Sequence, residues 1–409
     1  MKRALVKQIL NEWKTNIWLV MELAIVTLAI WAILSTLWIQ NQGIIQPRGF
    51  DPTDVYCISV RSINPKSPYY LPEYKDNYFI DRDELINRLK QNPNVEYVSL
   101  EQNMMPYNYS YMGNVITIEG KPDSINFGGN FRVAQPDIIK ILDIKSRTGK
   151  TSEQLIAMLE RGEVLIATSE SFEEKNGATK DLIGKNVFLF GREENKVKVG
   201  DWIYEVRRSD YEAARGGMVL LPFDKYPYKY GDITLKVKSG KAKEFENDFK
   251  NDRSLTHLRN VYLADLQKLT DIGDNIHRVN ETNIRINLGV SFFLLVTVFL
   301  GLLGSFWYRV QQRVSEIAVR KTFGARDSDL FRRIIGEGMI LLIVSLLLVS
   351  ACVWPFIHRI ADYLGEEWYT FLAIEAITAG LMVIGIVLSL WYPAWRAMKI
   401  EPAIAVKEE

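Results

Sequence analysis

The sequence predicts a multi-pass α-helical membrane protein, with four transmembrane helices and a large α+β extracytoplasmic domain between the first and second of them. Three observations predict it. Apolar runs fall at residues 17–39, 286–308, 337–357 and 371–393 of the 409-residue chain, each close to or beyond the roughly 20 residues a helix needs to cross hydrocarbon. Residues 40–285 have ordinary globular composition, so a folded domain is inserted after the first run. Formal net charge is +1, which gives no global field for nucleic acid, but the cations are unevenly placed. Lys2, Arg3, Lys7 and Lys14 precede the first run, and Arg309, Arg313, Arg320, Lys321, Arg326, Arg332 and Arg333 fill the link between the second and third. The tail carries Arg396, Lys399 and Lys407, whereas the link between the third and fourth runs sets Arg359 against Asp362, Glu366 and Glu367. Excess Lys and Arg mark cytoplasmic segments. Both termini and the basic link are therefore expected on the cytoplasmic side, with residues 40–285 outside.

The elements follow in chain order. Residues 1–16 place Leu5, Val6, Ile9, Leu10 and Trp13 on one helical stripe, the pattern of a cytoplasmic helix lying in the membrane interface. The first run lacks a small-x-small site after its core, so it reads as a retained span and not a cleaved signal. Glu22 sits near its cytoplasmic end, where a carboxylate is expected to reach back to the headgroups, the other reading being a buried ion-pair or coupling site. Two cysteines, Cys57 and Cys352, are too few for a disulfide framework.

In the inserted domain, residues 55–60 and 95–100 are strand candidates around an amphipathic helix at 81–90, with Asp81 expected to cap it and Glu84 three residues on. A second such unit runs from a strand at 232–238 through a helix near 241–251 to a strand at 258–263. Two β-α-β units flanking an insert predict a split, ferredoxin-like lobe at about 50–100 and 221–263. The insert, about 101–220, is richer in strand signals, at 115–118, 164–167, 187–190 and 202–206, with a hairpin between Gly191 and Gly200. The Tyr- and Pro-rich stretch at 64–80 and the tyrosines of 107–111 read as turn-rich surface.

Leu266, Leu269, Ile276 and Val279 recur at three- and four-residue spacing, with Gly273 in the open heptad place, and no proline interrupts from Val261 to Arg309. A single helix over that range would be about 70 Å long, more than twice the hydrocarbon thickness. These five residues are the expected stalk and dimer-contact positions, on a stalk helix at 261–285.

Catalytic and metal chemistry find little purchase. Gly149-Lys150-Thr151 resembles the end of a phosphate loop, but the pattern requires glycine five places earlier, where Ile144 stands. No His-Glu-x-x-His, paired CxxC or Gly-x-Ser-x-Gly occurs, and His257, His277 and His358 are far apart in sequence. No catalytic residue, cofactor site or metal site is expected.

The segment at 309–336 is different. Leu302, Trp307, Val310, Val314 and Ile317 can extend the second span's helix into the cytosol, Gly324 is placed to end a short helix, and Asp327 or Ser328 can cap the next. The result is a cytoplasmic elbow whose tip interleaves Ile317, Val319 and Phe323 with Arg320, a composition suited to a groove on a protein partner.

A family resemblance now enters. The string EIAVRKTFGA, residues 316–325, resembles the E-I-G-I-R-[KR]-A-L-G-A signature after the second span of MacB/FtsX-type permeases, the membrane subunits of type VII ABC transporters. The ending WYPAWRAMKIEPAIAVK, 391–407, is similar to their C-terminal tail at Pro393, Ala394, Ala397, Pro402 and Ala405, and LIGKNVFLFG, 182–191, to a strand turn in their extracytoplasmic domains. Thr322 and Phe323 stand where alanine and leucine are usual. The resemblance implies an FtsX-like permease domain at 286–403, a homodimer or a pair with a similar permease, and a separately encoded cytoplasmic ABC ATPase. It further implies that Glu316, Ile317, Ala318, Val319, Arg320, Lys321, Phe323, Gly324 and Ala325 couple to that ATPase. ATP hydrolysis would then move the outer domain, for export or efflux across the cell envelope. A second reading is a regulator that activates an envelope hydrolase or signals to a sensor kinase without transport. A third is a membrane-tethered enzyme, which would need a pocket of converging ionisable groups in the outer domain. Expected partners are the ATPase, membrane lipid and an envelope adaptor or hydrolase, with no nucleic acid.

Overall fold

A computed structural model describes residues 13–45, 47–108, 112–119, 121–168, 179–190, 192–210, 217–225, 230–364 and 368–399. The chain divides into a globular unit, Asn41–Thr282, and a helical unit formed by what precedes and follows it.

In the globular unit, β1 (Val55–Ser62), α2 (Tyr78–Gln91) and β2 (Val95–Gln102) make the first β-α-β unit. The second is β9 (Asp232–Val237), α5 (Ala242–Asn251), the single turn α6 (Arg253–Thr256), and the strands β10 (His257–Leu258) and β11 (Val261–Lys268). Strand order β11-β1-β9-β2, all neighbours antiparallel, is that of a ferredoxin-like lobe in which the first and last strands lie side by side. Between β2 and β9 come β3 (Gly113–Ile118), β4 (Lys121–Ala134), the single turn α3 (Ile138–Ile141), α4 (Ser152–Glu160), β5 (Val164–Thr168), β6 (Asn186–Leu189), β7 (Lys196–Trp202) and β8 (Gly217–Pro222). Their order β4-β3-β6-β7-β5-β8 is closed by a parallel β4–β8 pairing. Closure matters physically, because it covers the edge of β4 at Asn130–Ala134 that would otherwise be free to pair with another chain. β4 also pairs with the end of β2, at Glu101 with Ala134 and Gln102 with Val133, so one continuous sheet runs through both parts. Two buried clusters fill the unit. Tyr56, Ile58, Leu85, Leu100, Phe131 and Phe245 belong to one, and Val55, Met104, Ile139, Leu155, Leu220 and Leu269 to the other.

Several expected boundaries are corrected. α2 begins at Tyr78 and not at 81, so Asp81 lies inside the helix; it is buried and meets Arg259 at 3.2 Å. The strand expected at 202–206 ends at Trp202, with only an isolated bridge from Ile203 to Ser146 beyond it. The long helix starts at Leu269, eight residues later than expected. Residues 261–268 alternate buried and outward positions and pair antiparallel with β1. There the period-two pattern of Val261, Leu263 and their neighbours prevails over the helical spacing. Leu266 therefore lies on β11 and not on a stalk helix.

Glu101 is a buried carboxyl of the globular unit. Complete burial pushes its carboxyl up to about 7, with Asp232 adding to the rise, while the Met104 backbone N–H and Arg132 pull it down. A carboxyl raised on folding stabilises the folded state fully below its unfolded value, and that contribution is lost as pH rises to the folded value. We therefore expect Glu101→Gln to remove a loss of about 3 kcal/mol between pH 4.5 and 7. The check is the urea midpoint of the globular unit at both pH values, in wild type and variant; parallel pH profiles would contradict it.

The helical unit contains α1 (Trp13–Ile45), the larger part of α7 (Leu269–Gln312), α8 (Val314–Thr322), α9 (Asp327–Leu364) and α10 (Trp368–Lys399). Within α1, α7, α9 and α10, the segments Asn16–Ile39, Leu269–Gln312, Asp327–Arg359 and Trp368–Arg396 are long and apolar enough to cross a membrane. In α7, Ile286, Val290, Phe292, Phe293 and Leu300 are all exposed in the single chain, the all-round apolarity of a helix meant for lipid or another protein. The interfacial helix expected at 1–16 lies mostly outside the described residues; 13–16 continue into α1. Residues 394–399, expected in the tail, continue α10, and Pro402 and Ala405 lie outside the described residues. Glu22 is also corrected. It does not turn away toward the headgroups but accepts a hydrogen bond at 2.7 Å from the Ser305 hydroxyl of α7, since pairing within the bundle satisfies the carboxylate more cheaply than lipid does.

Candidate coupling elbow

α7 does not run unbroken into the elbow. It ends at Gln312, Arg313 leaves helical geometry, and α8 resumes at Val314. Arg313 is held at that break by Glu337 of α9, a buried carboxylate that also faces Arg333 at 3.8 Å. A carboxylate this buried needs such partners.

α8 then closes in a complete Schellman arrangement. The Gly324 N–H donates to Lys321 O at 3.0 Å and the Ala325 N–H to Arg320 O at 3.1 Å, with Gly324 at φ +89°. Only glycine takes that backbone conformation without a Cβ penalty. α9 begins at Asp327, so neither Asp327 nor Ser328 is the expected cap; both lie in its first turn. Asp327 instead pairs with Lys321 across the turn at 3.2 Å, and Glu316 pairs with Arg320 one turn along α8.

These contacts sort the residues of 316–325 onto two faces. Ile317 and Ala318 are buried, and Ile317 packs in the bundle core with Leu302, Phe306, Leu330 and Leu390. Ala325 packs against the same cluster from its edge. Val319 and Phe323 point outward, 45% and 88% exposed. Of the apolar tip residues expected from sequence, Ile317 belongs to the inner face; Val319 and Phe323 form the outer one, flanked by Arg320 and Lys321. Next to this region the end of α10 braces α7. Trp307 stacks on Tyr392 at 5.5 Å, Arg396 lies over Trp307 at 5.4 Å, and Ala394 is fully buried.

The expected stalk positions also separate. Leu269 is fully buried in the globular unit and Ile276 packs against the same cluster. A Cβ on Gly273 would lie 2.9 Å from the Tyr107 ring, so glycine is there to admit that ring. Val279 is 62% exposed. Sequence periodicity found the stripe but could not tell a face covered by the chain's own domain from one left uncovered.

Other features resolve into structure. Gly149 takes a left-handed turn at φ +85°, Lys150 neutralises the fully buried Asp201 at 2.6 Å, and Thr151 caps α4 in a capping box with Gln154. The resemblance to a phosphate loop thus has a local structural cause. Sequence reasoning missed Glu375, which accepts a hydrogen bond from Ser350 between α10 and α9; a lone acid in an apolar run was the available signal.

With the geometry in place, comparison with known proteins bears on it. Residues 288–402 match the family described as FtsX-like permease C-terminal, a range that holds the break, α8, the Schellman turn and the α10 brace. A stretch of 150 residues is 27% identical to the macrolide export ATP-binding/permease protein MacB of Syntrophobacter fumaroxidans, covering 35% of this chain. It covers 20% of that relative's own length.

Proposed function

We propose, from the premise that residues 288–402 are an FtsX-like permease region, that this chain is the noncatalytic permease subunit of an ABC transporter in the bacterial inner membrane. In this reading both termini and the elbow are cytoplasmic and the globular unit is extracytoplasmic. A separate cytoplasmic ABC ATPase docks on Val319 and Phe323, and its cycling shifts α8 against α9. The shift passes along α7, whose 44 residues would extend about 66 Å, to the globular unit, for export or efflux. Two copies, or this chain and a similar permease, would pair through faces of α7 left uncovered in the single chain.

The observation that carries the proposal is the two-faced elbow inside the matched region: one face anchored in the bundle, the other apolar, basic and unburied. Phe323, 88% exposed, and Val319 beside it form an apolar patch rimmed by cations, the kind of surface that marks a protein interaction site. Transmission requires an element rigid between two sites, and the buried Arg313–Glu337 anchor supplies that at the elbow. The experiment is affinity purification of the intact chain from its native membrane after brief crosslinking through a cysteine at Phe323. An ABC ATPase attached at that position is the expected product. A crosslink only to other proteins, or none, would remove the docking assignment.

A further inference from the structure

Segment 203–210, expected to be partly strand, is instead a connector that touches three other parts of the globular unit. Its backbone accepts the Tyr107 N–H at Arg208 O, 2.6 Å, while the Arg207 N–H donates to Arg48 O, 3.2 Å, and the Tyr204 N–H to Lys145 O, 3.0 Å. A Cβ on Gly49 would come within 1.9 Å of Glu205 O, so the strap at 47–51, which follows α1, is pressed directly on this connector. At its end lies Asp210, buried, with both oxygens engaged. Oδ1 meets Arg48 Nε at 3.0 Å, and Oδ2 meets His277 Nε2 at 2.5 Å and accepts the Tyr107 hydroxyl at 3.2 Å.

Arg48 is on the chain arriving from the first span. His277 is on α7, two turns into the helix that becomes the second. Tyr107 holds a left-handed backbone, φ +63°, rare for a bulky side chain. Its ring lies under Gly273, meets Phe50 edge-on at 5.8 Å and faces His277 at 6.0 Å. One carboxylate therefore sits where both chain connections to the membrane spans are fastened.

We propose that Asp210 is a positioning residue for force transmission: it locks the strap after the first span and the start of α7 into one body with the globular unit. The inference rests on the reading of α7 as a transmitting element and supplies the joint that reading needs. Without it, a push along α7 would pivot the helix against the domain instead of moving the domain. The chemistry suits the task. A buried carboxylate that accepts the phenol's hydrogen bond and faces a guanidinium and an imidazole at ion-pair distance draws all three partners to one point.

The test is amide hydrogen exchange on the intact chain in phosphatidylcholine nanodiscs, with no ATPase present. Asp210→Asn is expected to raise exchange about tenfold in two segments far apart in sequence, 47–51 and 269–281, with β5 unchanged. Asp210→Glu, which retains the charge, should restore much of the protection. Asp201→Asn is the control: that carboxylate is buried still more deeply in the same unit but held by Ser146, Thr148 and Lys150, and it should leave both segments protected. Should Asp210→Asn fold poorly, Arg48→Met serves in its place. Arg48 lies on the strap, yet its loss should loosen 269–281 as well. Exchange confined to 203–210, or a strap and helix that respond independently, would overturn the proposal. Because the readout needs no partner, it is separate from docking: elbow variants should leave the joint protected, and Asp210→Asn should leave ATPase binding intact.

Discussion

Val319→Asp combined with Phe323→Asp is expected to abolish co-purification with the ABC ATPase while the helical unit stays folded. Both side chains face outward, so carboxylates there remain hydrated and cost the free chain little. In a complex they would sit in the partner's apolar groove without a counter-charge, and loss of a well-packed apolar anchor typically costs 2 kcal/mol or more, about 30-fold in affinity. Ile317→Asp makes the contrast. Ile317 is packed among Leu302, Phe306, Leu330 and Leu390, so an ionised carboxylate there is desolvated, and we expect loss of folded protein, not selective loss of the partner. The measurement is pull-down yield beside the monodisperse fraction from size exclusion. If the outward pair keeps full ATPase yield, the docking face has been placed wrongly.

The second large effect is at the base of the elbow. Glu337→Leu leaves Arg313 and Arg333 facing each other without their shared carboxylate. Removing one member of a buried ion pair costs about 3–5 kcal/mol, here at the joint between α7 and α8. We expect a lowered thermal midpoint in detergent and new proteolytic cleavage near residue 313. Arg313→Met in the same chain should recover much of the loss, because an apolar pair of similar volume is tolerated where half of an ion pair is not. An additive double variant would show that the pair does not hold the break.

The four long apolar helices and most strands are legible in the residues, because long apolar runs and period-two patterns are local signals. β1, β2, β3, β5, β6 and β9 lie where their β-branched and aromatic residues put them, and the hairpin of β6 and β7 follows from the turn after Phe190. β4 and β8 were not legible. β4 contains Pro122, Asp123, Ser124, Gly128 and Gly129, residues poor in strand propensity; pairing with β3 holds that stretch in the sheet, and pairing with β8 begins only at Asn130. The start of α7 was misplaced because residues 261–268 satisfy helical and strand spacing at once; the decision was made by β1, two hundred residues away. At the elbow, Gly324 and the alternation of apolar and basic residues located the turn. Which apolar residues face inward depends on α9 and α10, and no spacing rule contains that. Asp210 gave no signal at all, since its meaning comes from Arg48, Tyr107 and His277, which only the fold brings together.

We propose that the elbow and the globular unit lie on opposite sides of the membrane. Single cysteines at Arg320 and at Lys150, in a background with Cys57 and Cys352 replaced by serine, test it with a membrane-impermeant maleimide on intact spheroplasts. Labelling at 150 before lysis and at 320 only after it is the expected result; labelling of both positions on the same side would rule out that topology.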